Sequence, residues 1–573
     1  MSEIYTRRDV MKRLGAGGAF SVAHARARAQ VPAAPGPTGA AQPATLQQIV
    51  DAAVARNDAA VRAVMQAQIT DPASPYRGSV PDGVGLHTAG SAGAAVEACA
   101  AALVHPQSAF HRDATLLDRI GLAAGFLERS QSADGNIDLL STNFNSPPDT
   151  GFVVHSVATA AAVGRRHGAP EIAQALGTFL TRAGAGMVRG GVHTPNHRWV
   201  ISAALAQIHE LFPSPPLLAR IDEWLAEGID IDADGQFTER STLTYNVVND
   251  RALVVMASKL NRPALLDPVR RNLRALTYLL HADGEVVTEI SRRQDQYTRG
   301  GTAGYWFPVT YLAVQDRDGQ FAEMARQSAL SGARLPALLE YPELSQPLPA
   351  SQALPDDFER PFPEIGIARL RRGPMSATFI LGGSSRVLTF RYGDAVVEAV
   401  RFASSFFGKG QFIPDAADKR GGTYVFRQDL QAPYYQPIGR PITTTTWGTT
   451  RAERRQSEVN RLAQSLEVTE VPRGLRLRVQ ARGTVGVPVS VEIAFREGGR
   501  LDGCTPLAGS ADAFLLERGA GTYRAGRNQI RFGPGSAPHR YAQVRGAEPK
   551  LPGLSVYLTG YTPFDQTVTI EGA

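Results

Sequence analysis

Between residues 45 and 335 apolar side chains recur at three- and four-residue spacing. The segments are 46–68, 93–104, 114–130, 152–166, 171–187, 198–212, 216–228, 243–260, 265–281, 302–315 and 319–333. This is the period of one face of an α-helix. The pattern predicts about eleven helices, mostly 12–20 residues long, separated by short turns rich in Gly, Pro and Asp. Alanine-rich faces such as 89–103 and 155–163 allow neighbouring helices to approach closely. Helix pairs of this length, repeated five or six times, predict an (α/α) toroid over 45–335, and no fixed-period repeat of the ankyrin or tetratricopeptide kind is seen.

The period then changes. Residues 336–362 hold six prolines and read as a linker. Beyond them apolar and polar positions alternate, in SATFILGG, RVLTFRYG, AVVEAVRFAS, GGTYVFRQ, QSLEVTEV, GLRLRVQAR, VSVEIAFRE and LSVYLTGY. Each run is bounded by Gly, Pro or Asp, and no helical interval separates them. At least eight strands of this kind predict an antiparallel β-sandwich over 363–573. The expected fold is therefore a helical toroid followed by a β-sandwich.

The N-terminus reads as an address rather than structure. Thr6-Arg7-Arg8-Asp9-Val10-Met11-Lys12 resembles a twin-arginine export signal, followed by an apolar stretch, Leu14 to Ala23, and a small-x-small site at Ala27-Arg28-Ala29. Residues 1–29 are thus an expected signal peptide, 30–44 a Pro/Ala/Gly linker, and the expected location is periplasmic or secreted. Removing residues 1–29 leaves 54 basic and 52 acidic side chains, so the net charge falls from +6 to +2. The chain then has no nucleic-acid footprint, and affinity for an acidic partner must come from local arginines. No apolar run reaches the roughly 18–20 residues of a membrane span. Cys99 and Cys504 lie far apart in sequence and read as two separate thiols.

Polar side chains concentrate at four places in the helical half. Asn143-Phe144-Asn145-Ser146-Pro147-Pro148-Asp149 leads into the helix containing His155. Ser146 or Asp149 could serve only as a cap there, or Asn145 and Asp149 could meet sugar hydroxyls. Asn196-His197-Arg198-Trp199 opens the next helix and combines an amide, a titratable base, a fixed cation and a stacking ring. Asp234-Gly235 precedes Glu239, Arg240, Ser241 and Tyr245. The spacing there does not fit a calcium loop. Glu239 and Tyr245 would point to opposite sides of one helix, so they converge only if Glu239 lies in the preceding loop. Glu289 to Tyr297, with Arg292 and Arg293, forms the fourth cluster. The clusters recur about every 40–55 residues, an interval that returns a ring of helix pairs to the same end.

In this order the motifs resemble those of the (α/α)-toroid polysaccharide lyases, in particular the heparinase II/III-like and alginate-lyase-like group. An Asn-His pair opens an inner helix, a DG…E-x-S…Tyr segment follows, then an Arg-bearing loop and a β-sandwich. Here these are Asn196-His197, Asp234-Gly235 with Glu239, Ser241 and Tyr245, and Arg292-Arg293. The Tyr stands one residue further from the Ser than the pattern expects. Several members also draw a His, a Tyr or metal ligands from the sandwich, whereas His539 is the sole His beyond 281. No metal site and no cofactor is expected.

The resemblance implies β-elimination on an acidic oligo- or polysaccharide containing uronate. Asn196 with Arg292 or Arg293 would neutralise the uronate carboxylate, and Tyr245 or His197 would remove the C5 proton. Tyr245 could also protonate the departing O4. A tyrosine with its ordinary pKa of about 10 needs a nearby cation for the first role. Arg198, Arg240 and the rings of Trp199, Tyr305 and Trp306 would bind sugar. Two other readings stay open: a toroid glycoside hydrolase (glucuronidase-like) using Asp149 and Glu239 as its carboxyl pair, and a glycan-binding protein without catalysis.

Overall fold

In the computed structural model the described residues are 43–573. The expected signal peptide and most of the 30–44 linker lie outside them. The chain divides into two compact units, one helical up to Leu354 and one made of strands from Pro355 onward, with His281–Asp283 grouped with the second.

The helical unit contains α1 (Leu46–Ala67), α2 (Ala89–Val104), α3 (Ala114–Arg129), α4 (Pro147–Arg166), α5 (Pro170–Arg189) and α6 (Asn196–Leu211). It continues with α7 (Pro215–Ala226), α8 (Tyr245–Lys259), α9 (Leu266–Tyr278), α10 (Trp306–Gln315), α11 (Gly319–Gly332) and α12 (Leu335–Glu340). The even-numbered helices α2, α4, α6, α8 and α10 pack against one another in succession as an inner layer. The odd-numbered helices from α3 to α11 follow them in hairpins as an outer layer. Helix α11 and the short α12 return to α1, α12 also touches α2 and α4, and Arg56 on α1 donates to the carbonyls of Leu330 and Ala333. These contacts close the ring. The inner helices are short on charge because both their faces are covered, α6 being buried at thirteen of its positions.

Helix starts differ from the periodicity where capping chemistry extends a helix. Helix α4 begins at Pro147, five residues before the apolar repeat predicted. Ser146 caps it, and Pro147-Pro148 occupy first-turn positions where no N–H is required. Residues 336–345, read as linker, instead complete α12 and form a short 3-10 turn, with Leu338 and Leu344 buried in the helical unit. Their prolines sit in the first turns of these segments and so do not prevent helix.

A repeat that period analysis overlooks joins the hairpins. Gln131-Ser-Ala-Asp-Gly-Asn-Ile137, Ile231-Asp-Ala-Asp-Gly-Gln-Phe237 and Leu280-His-Ala-Asp-Gly-Glu-Val286 each close with an isolated bridge between their end residues. Gly135 and Gly235 are left-handed (φ +92° and +78°), and a Cβ there would lie 2.1 Å from the Arg182 carbonyl and 2.6 Å from the Arg271 carbonyl. Only glycine permits both the turn and the approach to the next outer helix.

The second unit is a sandwich of two sheets, with nine and eight strands. Ala395–Ser404 and Pro488–Phe495 lie centrally in the first sheet, Gln456–Val471 and Gly474–Gly483 in the second. All pairings are antiparallel except that of 513–515 with 555–557. Phe379, Phe390, Phe402 and Val491 of one sheet share a core with Phe426, Leu466, Leu477 and Ile570 of the other. Both cysteines are free thiols.

Candidate active site at the mouths of the inner helices

The site is built from what precedes α6 and α8 and from the loop 288–298. Helix α8 has no side-chain cap at Thr244. Ser241 supplies one from further back: its Oγ accepts the Tyr245 N–H at 3.0 Å and donates to Asp295 at 3.0 Å. Asp295 also accepts the Leu243 N–H at 2.9 Å and the Ser291 hydroxyl. A single buried carboxylate therefore fastens loop 288–298 to the start of α8, which places Arg293 and Gln294 beside Tyr245.

Arg293 is the hub. Its Nη1 donates to Glu239 at 2.8 Å, its Nη2 to the Tyr245 hydroxyl at 3.3 Å, and its guanidinium lies 4.7 Å from the centre of the Tyr245 ring. Gln294 Nε2 donates to the same hydroxyl at 3.2 Å. Glu239 lies in the turn before α8, so it meets Tyr245 through Arg293 despite the six-residue spacing. Arg240 makes that turn possible with a left-handed backbone (φ +49°). Glu239 also accepts the Asn196 side-chain amide, and its backbone N–H at 3.3 Å. Burial raises the Glu239 pKa above the ordinary carboxylate value, partly offset by Asn196 and Arg293.

His197 follows Asn196 on the first turn of α6. Burial first, then His193 and Arg293, push its pKa down to about 3, so the ring is neutral at neutral pH. It stands edge-on to His193 with centres 4.6 Å apart and near Phe152 at 6.2 Å. Its Nδ1 and the Asn196 Oδ1 are buried with no hydrogen-bond partner among the described residues. Such atoms are costly unless something arrives to meet them. Asn196, His197, Glu239, Tyr245 and Arg293 are thus brought together. Arg292, beside it in the loop, is exposed and makes no side-chain hydrogen bond or ion pair among the described residues.

Other candidates lie apart from this group or are consumed by the fold. Trp199, Tyr305 and Trp306 are not sugar platforms: they are 0, 1 and 3% exposed. Trp199 donates to Asp230 at 2.9 Å and Tyr305 to the Thr242 carbonyl. A ring inside the helical layers has no face to offer. Arg198 is held by Glu227 and Asp230, at 3.0 and 2.8 Å, and covers Trp199, so it clamps the α6 start rather than facing ligand. Asp149 is taken up in the first turn of α4: its carboxylate accepts Ser146 Oγ at 2.5 Å and Asn143 Nδ2 at 2.9 Å. With Glu239 committed to Asn196 and Arg293, neither carboxyl of the hydrolytic pair is open. Asn145 is exposed and knits its own loop to Ser132, Asp134 and Asp138. His539 bonds the Gly560 carbonyl at 2.8 Å.

Sequence reasoning assigned no role to Asp295 or Gln294. Both stand in the quoted fourth cluster, but only folding shows which of its polar groups turn toward α8. Among the described residues no group of three or more His, Cys, Asp or Glu is placed to hold a metal ion, and no helix is long and apolar enough to cross a membrane.

No protein-family model matches the chain, and no curated protein matches it in sequence. Solved structures do. The chain is similar to the Streptomyces coelicolor A3 chondroitin AC lyase in complex with chondroitin sulphate (TM-score 0.54, 15% identity, covering 94% of this chain and 80% of that one). It is similar to a Paenibacillus xanthan lyase (0.56, 12%, 92% and 57%) and to heparinase III (0.50, 12%, 94% and 86%). At such identities the likeness is one of architecture, and the chain has the helical-toroid and β-sheet fold of these polysaccharide lyases.

Proposed function

We propose that this chain is an exported polysaccharide lyase that cleaves a uronate-containing glycan by β-elimination. The observation that carries the reading is the Tyr245 hydroxyl held between Arg293 and Gln294 at the start of α8, with the buried His197 Nδ1 at the start of the neighbouring α6. In β-elimination the C5 proton leaves, the C4–O4 bond breaks, a C4=C5 double bond forms and O4 takes a proton. Tyr245, deprotonated, accepts the C5 proton and passes it to O4. Its two donors meet the negative charge on the phenol oxygen, and preorganised donors of this kind are what such a step needs. Glu239 positions Asn196 and Arg293. Because the Asn196 amide N–H faces Glu239, neutralising the substrate carboxylate falls to Arg292 and Arg293. Neutral His197 completes the pocket as a hydrogen-bonding partner for the sugar. Export rests on the twin-arginine-like segment and places the enzyme in the periplasm or outside the cell.

The test is a panel of uronate glycans followed by absorbance of the unsaturated uronate. Wild type generates the chromophore, Tyr245→Phe abolishes it, and His197→Ala lowers it severely. New reducing ends without absorbance would replace elimination by hydrolysis.

A further inference from the structure

The sandwich unit carries an aromatic and basic surface of its own. The segment 401–412 (RFASSFFGKGQF) is rich in aromatic and basic residues. Phe402, Phe406 and Phe412 are core, but Phe407 is 48% exposed. It sits in a left-handed backbone conformation (φ +51°), costly for a bulky residue. Its ring is nevertheless left half exposed. Its ring meets Tyr434, 55% exposed, at 5.7 Å. Tyr434 is near the end of strand Thr423–Tyr435, where the chain makes a long excursion to 455.

That excursion adds the rest. Trp447 is 54% exposed at its tip, with the Arg454 guanidinium 4.4 Å from its ring, and Arg454 donates to the Gln436 carbonyl at 3.2 Å. This ties Trp447 back to the strand end that carries Tyr434. Arg451 lies 4.6 Å from the Tyr435 ring. Residues 436–455 contain four arginines against the single acid Glu453, which is taken by Arg440. Lys409, Arg451 and Arg455 are exposed and have no acidic partner among the described residues. Lone exposed rings are ordinary. Three large ones at one strand end, among uncompensated cations and with one on a left-handed backbone, are not.

We propose that Phe407, Tyr434 and Trp447, with Lys409, Arg451 and Arg455, form a second glycan-binding surface, carried by the sandwich unit, that grips an acidic polysaccharide. The rings stack on the apolar faces of sugars while the cations meet their carboxylates, a pairing that suits a polyuronate. The chain without its leader has almost no net charge, so this local excess is the means by which a long polyanion is held. The choice of glycan rests on the lyase reading above.

The test uses affinity electrophoresis of the full chain in the Tyr245→Phe background, in gels containing alginate or, as a neutral control, dextran. Alginate retards the protein and dextran does not. The triple variant Phe407→Ala, Tyr434→Ala, Trp447→Ala weakens the apparent affinity at least about tenfold, as loss of ring stacking predicts. The aromatic swap Phe407→Tyr with Trp447→Phe retains affinity, which separates binding from misfolding. Equal retardation of the triple variant, or equal retardation by dextran, overturns the proposal. So does full displacement of alginate by a single-stranded oligonucleotide at equal charge concentration. Alginate retardation by a wild type that eliminates nothing would count against the lyase reading alone, and elimination with unaltered retardation of the triple variant against this surface alone.

Discussion

Replacing Arg293 by Lys isolates the geometry of the site from its charge. The guanidinium makes two bonds in different directions, 2.8 Å to Glu239 and 3.3 Å to the Tyr245 hydroxyl, and lies 4.7 Å from the Tyr245 ring centre. A lysine ammonium keeps a cation for Glu239, so no carboxylate is left bare. It cannot fork to the phenol or stack as a plane. The donor lost from the phenol oxygen is of the kind whose removal costs about 2.7–4 kcal/mol in the transition state, or roughly 10²–10³ in kcat. The ground state loses far less, because the pair with Glu239 is retained and stacking of a cation is worth about 0.5–1 kcal/mol at a partly exposed site. The expected result is a kcat lowered about 100- to 1000-fold with KM within about threefold, since only the transition state loses its donor. Rates come from the growth of unsaturated-uronate absorbance, and folding from a thermal melt. A kcat within about threefold of wild type would refute the role given to Arg293 here.

Two further outcomes concern the toroid itself. Glu340 of α12 and Lys259 of α8 form an ion pair at 2.9 Å with both side chains almost fully buried, and Thr159 of α4 donates to Glu340 at 2.7 Å. Glu340→Ala leaves Lys259 only its second partner, the partly exposed Glu210 at 2.6 Å, and should cost about 1–3 kcal/mol in urea unfolding, while Lys259→Met with Glu340→Leu recovers most of it; a loss under about 0.5 kcal/mol for the single change would contradict this. His155 and His197 each have a folded pKa of about 3 against an ordinary 6.5, chiefly from burial. Both are neutral in the fold, so the unfolded chain binds more protons between those values and stability falls as pH drops through 6.5 toward 3. At pH 5 each should contribute a loss of about 2 kcal/mol relative to pH 7, and His197→Gln should flatten the urea-midpoint profile, whereas an unchanged slope would mean that His197 is solvated.

Much of this was legible in the chain. Hydrophobic period identifies the two halves because burial acts residue by residue: 3.6 for helices covered on one or both faces, two for strands with one face in a sandwich core. The Asn196-His197 and Glu239-x-Ser241 motifs fall at helix mouths because caps and turns are local chemistry. Local rules also explain a shifted boundary: the apolar repeat begins at 152, but proline is at home in a first helical turn, so α4 starts at Pro147 with Ser146 as its cap.

What the sequence could not contain is which polar groups meet across long separations. Arg293 reaches Glu239 and Tyr245, 54 and 48 residues away, only because Asp295 fastens its loop to Ser241. Nor does composition tell which face of a helix start looks inward. Trp199 and Tyr305 carry the chemistry of sugar platforms, but helix packing buries them, while Phe407, between the buried Phe406 and the strand end at Tyr434, stays half exposed. Pattern along the chain records how much surface each segment must hide, so the sequence determined the elements and their layers. Which side chains meet, and which remain available to a substrate, depends on contacts between distant segments, and only the tertiary structure decided those.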